Sequence, residues 1–439
     1  MATSVEIKSD RAPRWSSSYV PIVVGNTTGG ASTDPKFEYI CELYISRDSY
    51  TGSPGTFTRI AKIPQPPEPL TGYATFQLAA FIENYIRFTL LPQLGSFWYA
   101  NESYIWCRVD IGFKELGTET LAVDTHTFLV WNGATQYIES PTSFGASTLF
   151  ELDGSDKKLL TDHPKSGLTV DENGFYTLTF HNFGNLNIDA FAVDTYAEDG
   201  SFIQTLTYSN PWPVPSEVGT DLLAFGCGPY NLNSVFASTG TDPAITSSVA
   251  FYDVYAINSG DAISLKHRFI IDRSCPRDQA VTLAWLNRRG GLDYYTFKGT
   301  NSRSVPVKQN TYERNFGSFL SSYITGTPWS WFNYGEQGAV QGGTGGERGR
   351  TVIATKAKDT WKLTTGFLSK DERKWMEQLY TSPQVFMLRD LLDGGGGYLM
   401  HLPVNVTSSP YNETVSRKNK LVSFSIDIET AYDKNIQRG

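Results

Sequence analysis

Cysteine and histidine are scarce in this chain and are spread apart. The 439 residues include 4 cysteines and 5 histidines, and no C-x-x-C pair occurs. Zinc sites need closely spaced cysteine and histidine ligands, so we expect no metal site. A chain of this length can bury a large core and needs no disulfide to fold. We therefore expect free, mostly buried thiols, as in a protein made in a reducing cytosol.

Long apolar runs and excess positive charge are also lacking. No stretch approaches the roughly 18 apolar residues of a membrane-spanning helix, and residues 1–15 contain no apolar core of a secretion signal. We expect no membrane span and no secretion. The 37 Lys and Arg residues are outnumbered by 45 Asp and Glu residues, which gives a net charge of −8. Such a chain lacks the counterion-release drive for binding a phosphate backbone, so we expect no nucleic-acid partner.

Motifs that carry common enzyme chemistry are absent from the sequence. It has no Walker A loop, no strand-linked G-x-G-x-x-G, no G-x-S-x-G, no H-E-x-x-H and no EF-hand loop. Its isolated histidines are more typical of hydrogen-bonded structural residues than of catalytic groups. A triad or a carboxylate pair assembled from distant residues stays open as an alternative. We interpret the chain as a non-enzyme that needs no cofactor.

Aromatic residues, glycine and proline are abundant. Aromatics make up 14% of the chain, which also has 39 Gly and 22 Pro. Apolar residues alternate with polar ones, as at Phe424, Ile426 and Ile428, and turn residues interrupt these runs. The pattern predicts a mainly β protein, built as multi-domain antiparallel β-sandwich modules with a few short helices.

Two segments depart from the strand pattern and predict helices. Ser369 and Glu372 form an S-x-x-E capping box, in which each side chain reaches the other's backbone N–H, ahead of apolar Trp375. Pro383 then ends that helix. In the other segment, apolar residues recur three and four positions apart, at Leu78, Phe81, Ile82, Tyr85 and Ile86.

Composition divides the chain into five parts. Residues 1–36, rich in Ser, Thr, Gly and Pro, indicate an N-terminal arm, and residues 335–350, with seven glycines, indicate a flexible linker that proteases should cut first. The remaining parts are a first β module with one helix at 37–148, central β modules at 149–334 and a separate C-terminal β module with one helix at 351–439.

An aromatic cluster immediately precedes the glycine-rich linker. It consists of Trp329, Trp331, Phe332 and Tyr334. Aromatic anchors dominate interface energies, so the cluster is a candidate interface, together with the arm and the linker. The alternative, that it packs within its own chain, is favoured by the high aromatic content of the whole sequence.

The most specific pattern in the chain is a hairpin at 281–299, within the central modules. Val281, Leu283 and Trp285 share one face, and the stretch from Asn287 to Gly291 supplies the turn. We expect Asp293 and Arg288 to brace the turn and not to catalyse a reaction. The structural hairpin residues are Trp285, Asn287, Gly290, Gly291 and Asp293.

The hairpin pattern W-L-N-x-x-G-G-x-D-x-x-x-F resembles a signature of virion and tail proteins of tailed bacteriophages, particularly those infecting Bacteroidetes hosts. Other stretches are also similar to that family. They are Tyr39 to Tyr44, Gly72 to Phe76, Trp131 to Ala134, Leu159 to Lys165, Leu363 to Thr365, Val404 to Ser408 and Thr430 to Tyr432.

This resemblance implies a structural component of a phage tail, in the hub, baseplate or adaptor ring. Such a protein is made in the bacterial cytoplasm and located in the virion. Its partners would be further copies in a ring and other tail or neck proteins. The alternative is a carbohydrate-binding or carbohydrate-cleaving β-sandwich protein, either a receptor-binding tail protein that contacts a host surface glycan or a lectin.

Overall fold

A computed structural model confirms the predicted fold class, a mainly β protein with antiparallel sheets packed face to face. The residues that it describes are 5–9, 14–15, 21–26, 34–47, 56–87, 97–99, 103–133, 159–164, 167–181, 188–212, 222–233, 244–274, 280–313, 318–320, 330–332, 350–390, 399–407 and 423–434.

The N-terminal part of the chain forms a sandwich of two sheets. Its strands are β1 (Val5–Ser9), β2 (Arg14–Trp15), β3 (Pro21–Asn26), β4 (Glu38–Ser46), β5 (Thr58–Gln65), β6 (Ala74–Gln77), β8 (Tyr104–Glu115) and β9 (Thr118–Trp131). One sheet has the order β1-β3-β6 and the other β2-β9-β8-β4-β5. Alternate side chains of both sheets meet in one core, which includes Ile22, Phe76, Cys41 and Val109.

Residues 5–9 and 21–26, within the predicted arm, are part of this sandwich. β1 pairs with β3, which pairs with β6, and Val5, Ile22 and Val24 are buried. The prediction of an arm at 1–36 is therefore wrong for these strands. Their apolar alternation spans only two or three side chains each, so the surrounding Ser, Thr, Gly and Pro dominate the composition of the segment.

The first predicted helix is present but short. Helix α1 covers Ala79–Ile82 and continues as a 3-10 turn at Glu83–Tyr85. Leu78, Ile82 and Ile86 are buried, whereas Phe81 and Tyr85 are 41% and 37% exposed. Its apolar face is therefore narrower than the spacing predicts.

The central part has a six-stranded and a three-stranded sheet. Its strands are β7 (Phe97–Tyr99), β10 (Leu168–Asp171), β11 (Thr177–His181), β12 (Ala190–Tyr196), β13 (Phe202–Ser209), β14 (Leu222–Gly226), β15 (Phe251–Asn258), β16 (Asp261–Ala262) and β17 (His267–Asp272). The larger sheet has the order β10-β17-β15-β12-β13, with β16 on β15, and the smaller one β11-β14-β7. The stacked rings of Phe191 and Phe225, 4.5 Å apart, join the two sheets. β10 with β17 and β2 with β9 are parallel pairs.

The C-terminal part contains a seven-stranded sheet and one longer helix. Its elements are β18 (Val281–Leu286), β19 (Leu292–Phe297), β20 (Ser302–Ser304), β21 (Val307–Glu313), β22 (Ser318–Leu320), β23 (Ser330–Phe332), β24 (Arg350–Ala357), β25 (Thr360–Thr364), α2 (Lys370–Thr381), β26 (Val385–Asp390), β27 (Leu399–Val406) and β28 (Ser425–Thr430). The sheet has the order β19-β18-β26-β27-β28-β25-β20. β21 and β24 form a separate two-stranded ribbon, and β22 pairs with β23.

The predicted hairpin forms, but it belongs to a different part of the fold. Val281 lies opposite Phe297, and Leu283 opposite Tyr295. On its other side β18 pairs with β26, and β20 pairs with β25. Assignment of the hairpin to the central modules is therefore wrong, and so is a separate C-terminal module at 351–439. Turn residues mark where strands end but not which strands pair.

Helix α2 confirms the second helix prediction. Ser369 and Glu372 make both hydrogen bonds of the capping box. Its residues Trp375, Met376 and Leu379 are buried, in the same core as side chains of the seven-stranded sheet. None of the helices in the described part of the chain is long and apolar enough to cross a membrane. Free buried thiols are also confirmed, at Cys41, Cys107 and Cys227, while Cys275 lies outside the described residues.

Candidate functional site

The turn of the 281–299 hairpin lies where the N-terminal sandwich, the central sheets and α2 meet. Trp131 at the end of β9 donates its indole N–H to the carbonyl of Arg289, at 3.0 Å. Asn287 donates its side-chain amide to the carbonyl of Leu160, at 2.9 Å. We call this region the junction; it comprises Trp131, 160–162, 287–293, Trp375 and Gln378.

Asn287 and Gly290 give the turn its shape. The side-chain oxygen of Asn287 accepts hydrogen bonds from the backbone N–H of Arg289, at 2.9 Å, and of Gly291, at 3.0 Å. Gly290 has φ +90°, and a Cβ there would lie 1.8 Å from the carbonyl oxygen of Asn132. The turn therefore requires glycine both for its backbone conformation and for its close approach to β9.

Asp293 joins the hairpin to two other elements. It is fully buried, and its carboxylate accepts hydrogen bonds from the Thr161 hydroxyl, at 2.6 Å, and the Trp375 indole, at 2.7 Å. Burial raises the pKa of Asp293 to about 6. Asp293 also has a side-chain hydrogen bond with Asn287, so it braces the turn as expected and in addition ties β19 to the 159–164 segment and to α2.

Asp162 forms ion pairs with two arginines of the turn. The Nε groups of Arg288 and Arg289 both donate to its carboxylate, and Gln378 of α2 donates at 3.1 Å. Burial acts to raise the pKa of Asp162, but the charges of Arg289 and Arg288 outweigh it and hold that pKa below its ordinary value. Two guanidinium groups therefore share one carboxylate at this point of the junction.

Trp285 is buried beneath the turn. It has no exposed surface, and its ring centroid lies 5.0 Å from that of Trp375 on α2. The contact brings the hairpin face and the helix into one core. Trp285 thus has a packing role. The other four predicted hairpin residues, Asn287, Gly290, Gly291 and Asp293, lie in the junction itself.

The described residues include only two members of the aromatic cluster. Trp331 and Phe332 lie in β23, opposite Phe319 and Ser318 of β22. Trp329 and Tyr334 lie outside the described residues, as does the predicted linker up to residue 349. The candidate interface and the linker stay predictions.

A cavity of about 490 Å³ opens beside the junction. Helix α2 contributes one face to it, through residues spaced three and four apart. Its lining residues are Leu159, Thr161, Asp162, His163, Pro164, Leu265, Lys266, His267, Arg288, Arg289, Asp371, Lys374, Trp375 and Gln378. The sequence contains no signal for Lys266, His267, Lys374 or Gln378, because no motif links positions that are about a hundred residues apart.

His163 is the buried titratable group of this cavity. Its Nδ1 lies 2.8 Å from the carbonyl oxygen of Pro164, and its Nε2 has no hydrogen-bond partner. Burial lowers the pKa of His163 to about 4, so the ring is neutral at pH 7. The ring of His267 lies 5.1 Å away, nearly perpendicular to it.

Fold and site together define a β-sandwich protein whose most specific motif forms an internal junction. No protein-family model matches the chain, and no curated protein matches it. Solved structures share little with it. Trypsin-activated alpha-2-macroglobulin from Escherichia coli is 8% identical with a TM-score of 0.21, and the match covers 73% of this chain and 19% of that one.

Two further solved structures are similarly distant. Fibronectin(III)-like modules of Clostridium thermocellum CbhA are 11% identical with a TM-score of 0.14, covering 61% of this chain and 92% of that one. Red sea bream transglutaminase is 7% identical with a TM-score of 0.17, covering 62% and 32%. The chain spans about a fifth of the length of the alpha-2-macroglobulin structures that it matches.

Proposed function

We propose that this chain is a structural component of a bacteriophage tail, in the hub, baseplate or adaptor ring, and that it acts through protein–protein assembly without catalysis. One observation carries the proposal: three stretches that resemble the phage family converge at the junction. Trp131 and Asn132 contact the turn at Arg289 and Gly290, and Leu160 contacts it at Asn287.

The chemistry of the junction supports a structural role. Asp293 and Asn287 direct their hydrogen bonds to groups of the same chain. A buried, fully hydrogen-bonded polar network fixes one arrangement of the elements that it joins. Fixed geometry suits a subunit that must present the same contact surfaces to each neighbour in a closed ring.

The β21–β24 ribbon supplies a candidate contact for that ring. Val307, Tyr312 and Val352 are 55%, 38% and 43% exposed, and neither strand pairs with a third one among the described strands. An isolated two-stranded ribbon is marginally stable in water, and its open edges can accept another strand. It gains stability if a neighbour covers it.

Charge favours a second copy of this chain as that neighbour. Among its described side chains the ribbon carries two exposed cations, Lys308 and Lys356, and no acid. Its net charge is thus +2, within a chain whose net charge is −8, which leaves −10 for the remainder. A cationic ribbon is attracted to a chain of negative net charge, which favours their encounter.

Electron microscopy of intact particles, with copy counting by mass spectrometry, tests the proposal. We expect several copies per particle in a ring. Val307→Asp should reduce incorporation, because it places a carboxylate in the proposed contact. Phe202→Asp, at a side chain that is equally exposed at 58% on β13, is the matched control. Absence of the chain from purified particles would refute the proposal.

A further inference from the structure

Strand β13 is an open edge of the six-stranded sheet. Among the described strands it pairs with β12 alone. In an antiparallel pair, every second residue of an edge strand turns its backbone N–H and C=O away from its neighbour. The side chains of Thr205, Thr207 and Ser209 are exposed, so the outer face of the strand is open as well. This edge can therefore accept a further strand.

The other long edges have features that oppose pairing with an identical strand. Like charges repel each other when two copies of one edge meet, and proline removes a backbone donor. Edge β5 contains Arg59, Lys62 and Pro64, β19 is mostly buried, and β21 and β24 contain Lys308 and Lys356. β13 has the sequence FIQTLTYS, with neither charge nor proline. Among the described edge strands of six or more residues, it alone has no such protection.

The sequence of β13 is also compatible with pairing to itself. Two identical edges that meet around a two-fold axis run antiparallel, and each contact is made twice. Thr205-Leu206-Thr207 reads the same in both directions, so an axis through Leu206 places Thr205 of one copy opposite Thr207 of the other. Cross-strand Thr–Thr pairs stabilise antiparallel sheets. Leu206 is half-buried against the core, and the axis brings it next to its counterpart on the inner face.

We propose that β13 pairs with β13 of a second copy of this chain, antiparallel and around a two-fold axis, so that the two sheets become continuous. The pairing segment is 204–209, where the register with β12 is regular; Phe202 precedes an irregularity and lies outside the segment. This contact does not rest on the assembly role. Absence of the chain from particles would leave the pairing intact, and a protein that does not pair through β13 would leave the ring proposal intact.

Sedimentation velocity over a range of concentrations tests the pairing. We expect the full chain to dimerise. Thr207 is exposed, so Thr207→Lys should fold normally, and it should weaken dimerisation at least about tenfold because it places like charges on both sides of the axis. Thr169→Lys, at an exposed threonine on β10 at the opposite edge of the same sheet, is the matched control and should dimerise as the parent does. A parent that stays monomeric at millimolar concentration, or unchanged dimerisation of Thr207→Lys, would overturn the proposal.

Mixing two charge variants separates loss of pairing from loss of folding. Thr207→Glu alone should also dimerise weakly, whereas an equimolar mixture of Thr207→Lys and Thr207→Glu should dimerise more strongly than either variant by itself, because opposite charges then meet across the axis. A mixture as weak as its components would contradict the approach of the two strands. A dimer that persists in Thr207→Lys and is lost in Val307→Asp would assign the association to the ribbon and overturn the pairing through β13.

Discussion

Replacement of Asp293 by Asn tests whether the junction holds a buried carboxylate of raised pKa. In the folded chain that pKa is about 6, against an ordinary value of 3.8. The folded state therefore binds a proton more readily than the unfolded state between these values. Stability from this group is present at low pH and is lost as pH rises through about 6. Between pH 5 and pH 7 the loss should amount to roughly 1 to 1.5 kcal/mol.

Histidines also change the pH dependence of stability in this interval. The effect of Asp293 is therefore measured as the difference between the pH dependence of the parent and that of the variant. Burial lowers the pKa of His163 and of His401 in the folded chain to about 4. In the unfolded chain both histidines take up a proton once the pH falls below about 6.5, which stabilises the unfolded state relative to the folded one. Both histidines remain in Asp293→Asn. Their contribution therefore cancels when the pH dependence of the variant is subtracted from that of the parent.

Urea unfolding at pH 5 and pH 7 measures the effect. On going from pH 5 to pH 7 the parent should lose about 1 kcal/mol more than Asp293→Asn. Asp261→Asn, at an exposed carboxylate on β16, is the control and should follow the parent. Equal pH dependence of the parent and Asp293→Asn would show that the carboxylate is not held in a buried, desolvated state, and the reasoning about the junction would fail.

Three further predictions concern the same region. Trp285→Ala should cost about 3 to 5 kcal/mol in urea unfolding, because it empties a fully buried site, and a parent-like stability would contradict the packing role. Gly290→Ala should destabilise by about 1 to 3 kcal/mol more than Gly260→Ala, since both have φ near +90° but only Gly290 has an atom, Asn132 O, in the path of the new Cβ. Similar losses in these two alanine variants would refute the close approach. Cleavage within 335–350 should leave two fragments that elute together in size-exclusion chromatography, because β18 pairs with β26 across the cut, and separate elution would contradict that pairing.

Local features of the fold could be predicted from the sequence. The capping box at Ser369 and Glu372 and the hairpin with its turn at Asn287 depend on residues close together in the chain, and both are present. Partners of strands could not be predicted, because period-two alternation marks a strand without identifying its neighbour. For this reason the sequence predicts the wrong part of the fold for β18 and predicts an arm where β1 and β3 pair.

Of the junction, the sequence predicts only the turn from Asn287 to Gly291. Asn287 and Gly290 have local roles that their residue types indicate. The bonds from Asp293 to Thr161 and to Trp375 span 132 and 82 positions, so they depend on tertiary structure. The cavity was missed for the same reason, since Lys266 and Lys374 lie on different elements.

The pairing of β18 with β26 has a consequence for synthesis of the chain. The strands of the N-terminal sandwich find their partners within residues 5–131, so this part can fold while the ribosome is still translating. β18 must wait about a hundred residues for β26, and the hairpin carries buried Trp285 and Leu283 during that time. Long-range strand pairing is slow and exposes apolar surface to aggregation. Translation of β26 therefore gives β18 its second neighbour, and translation of β27 and β28 then completes the seven-stranded sheet.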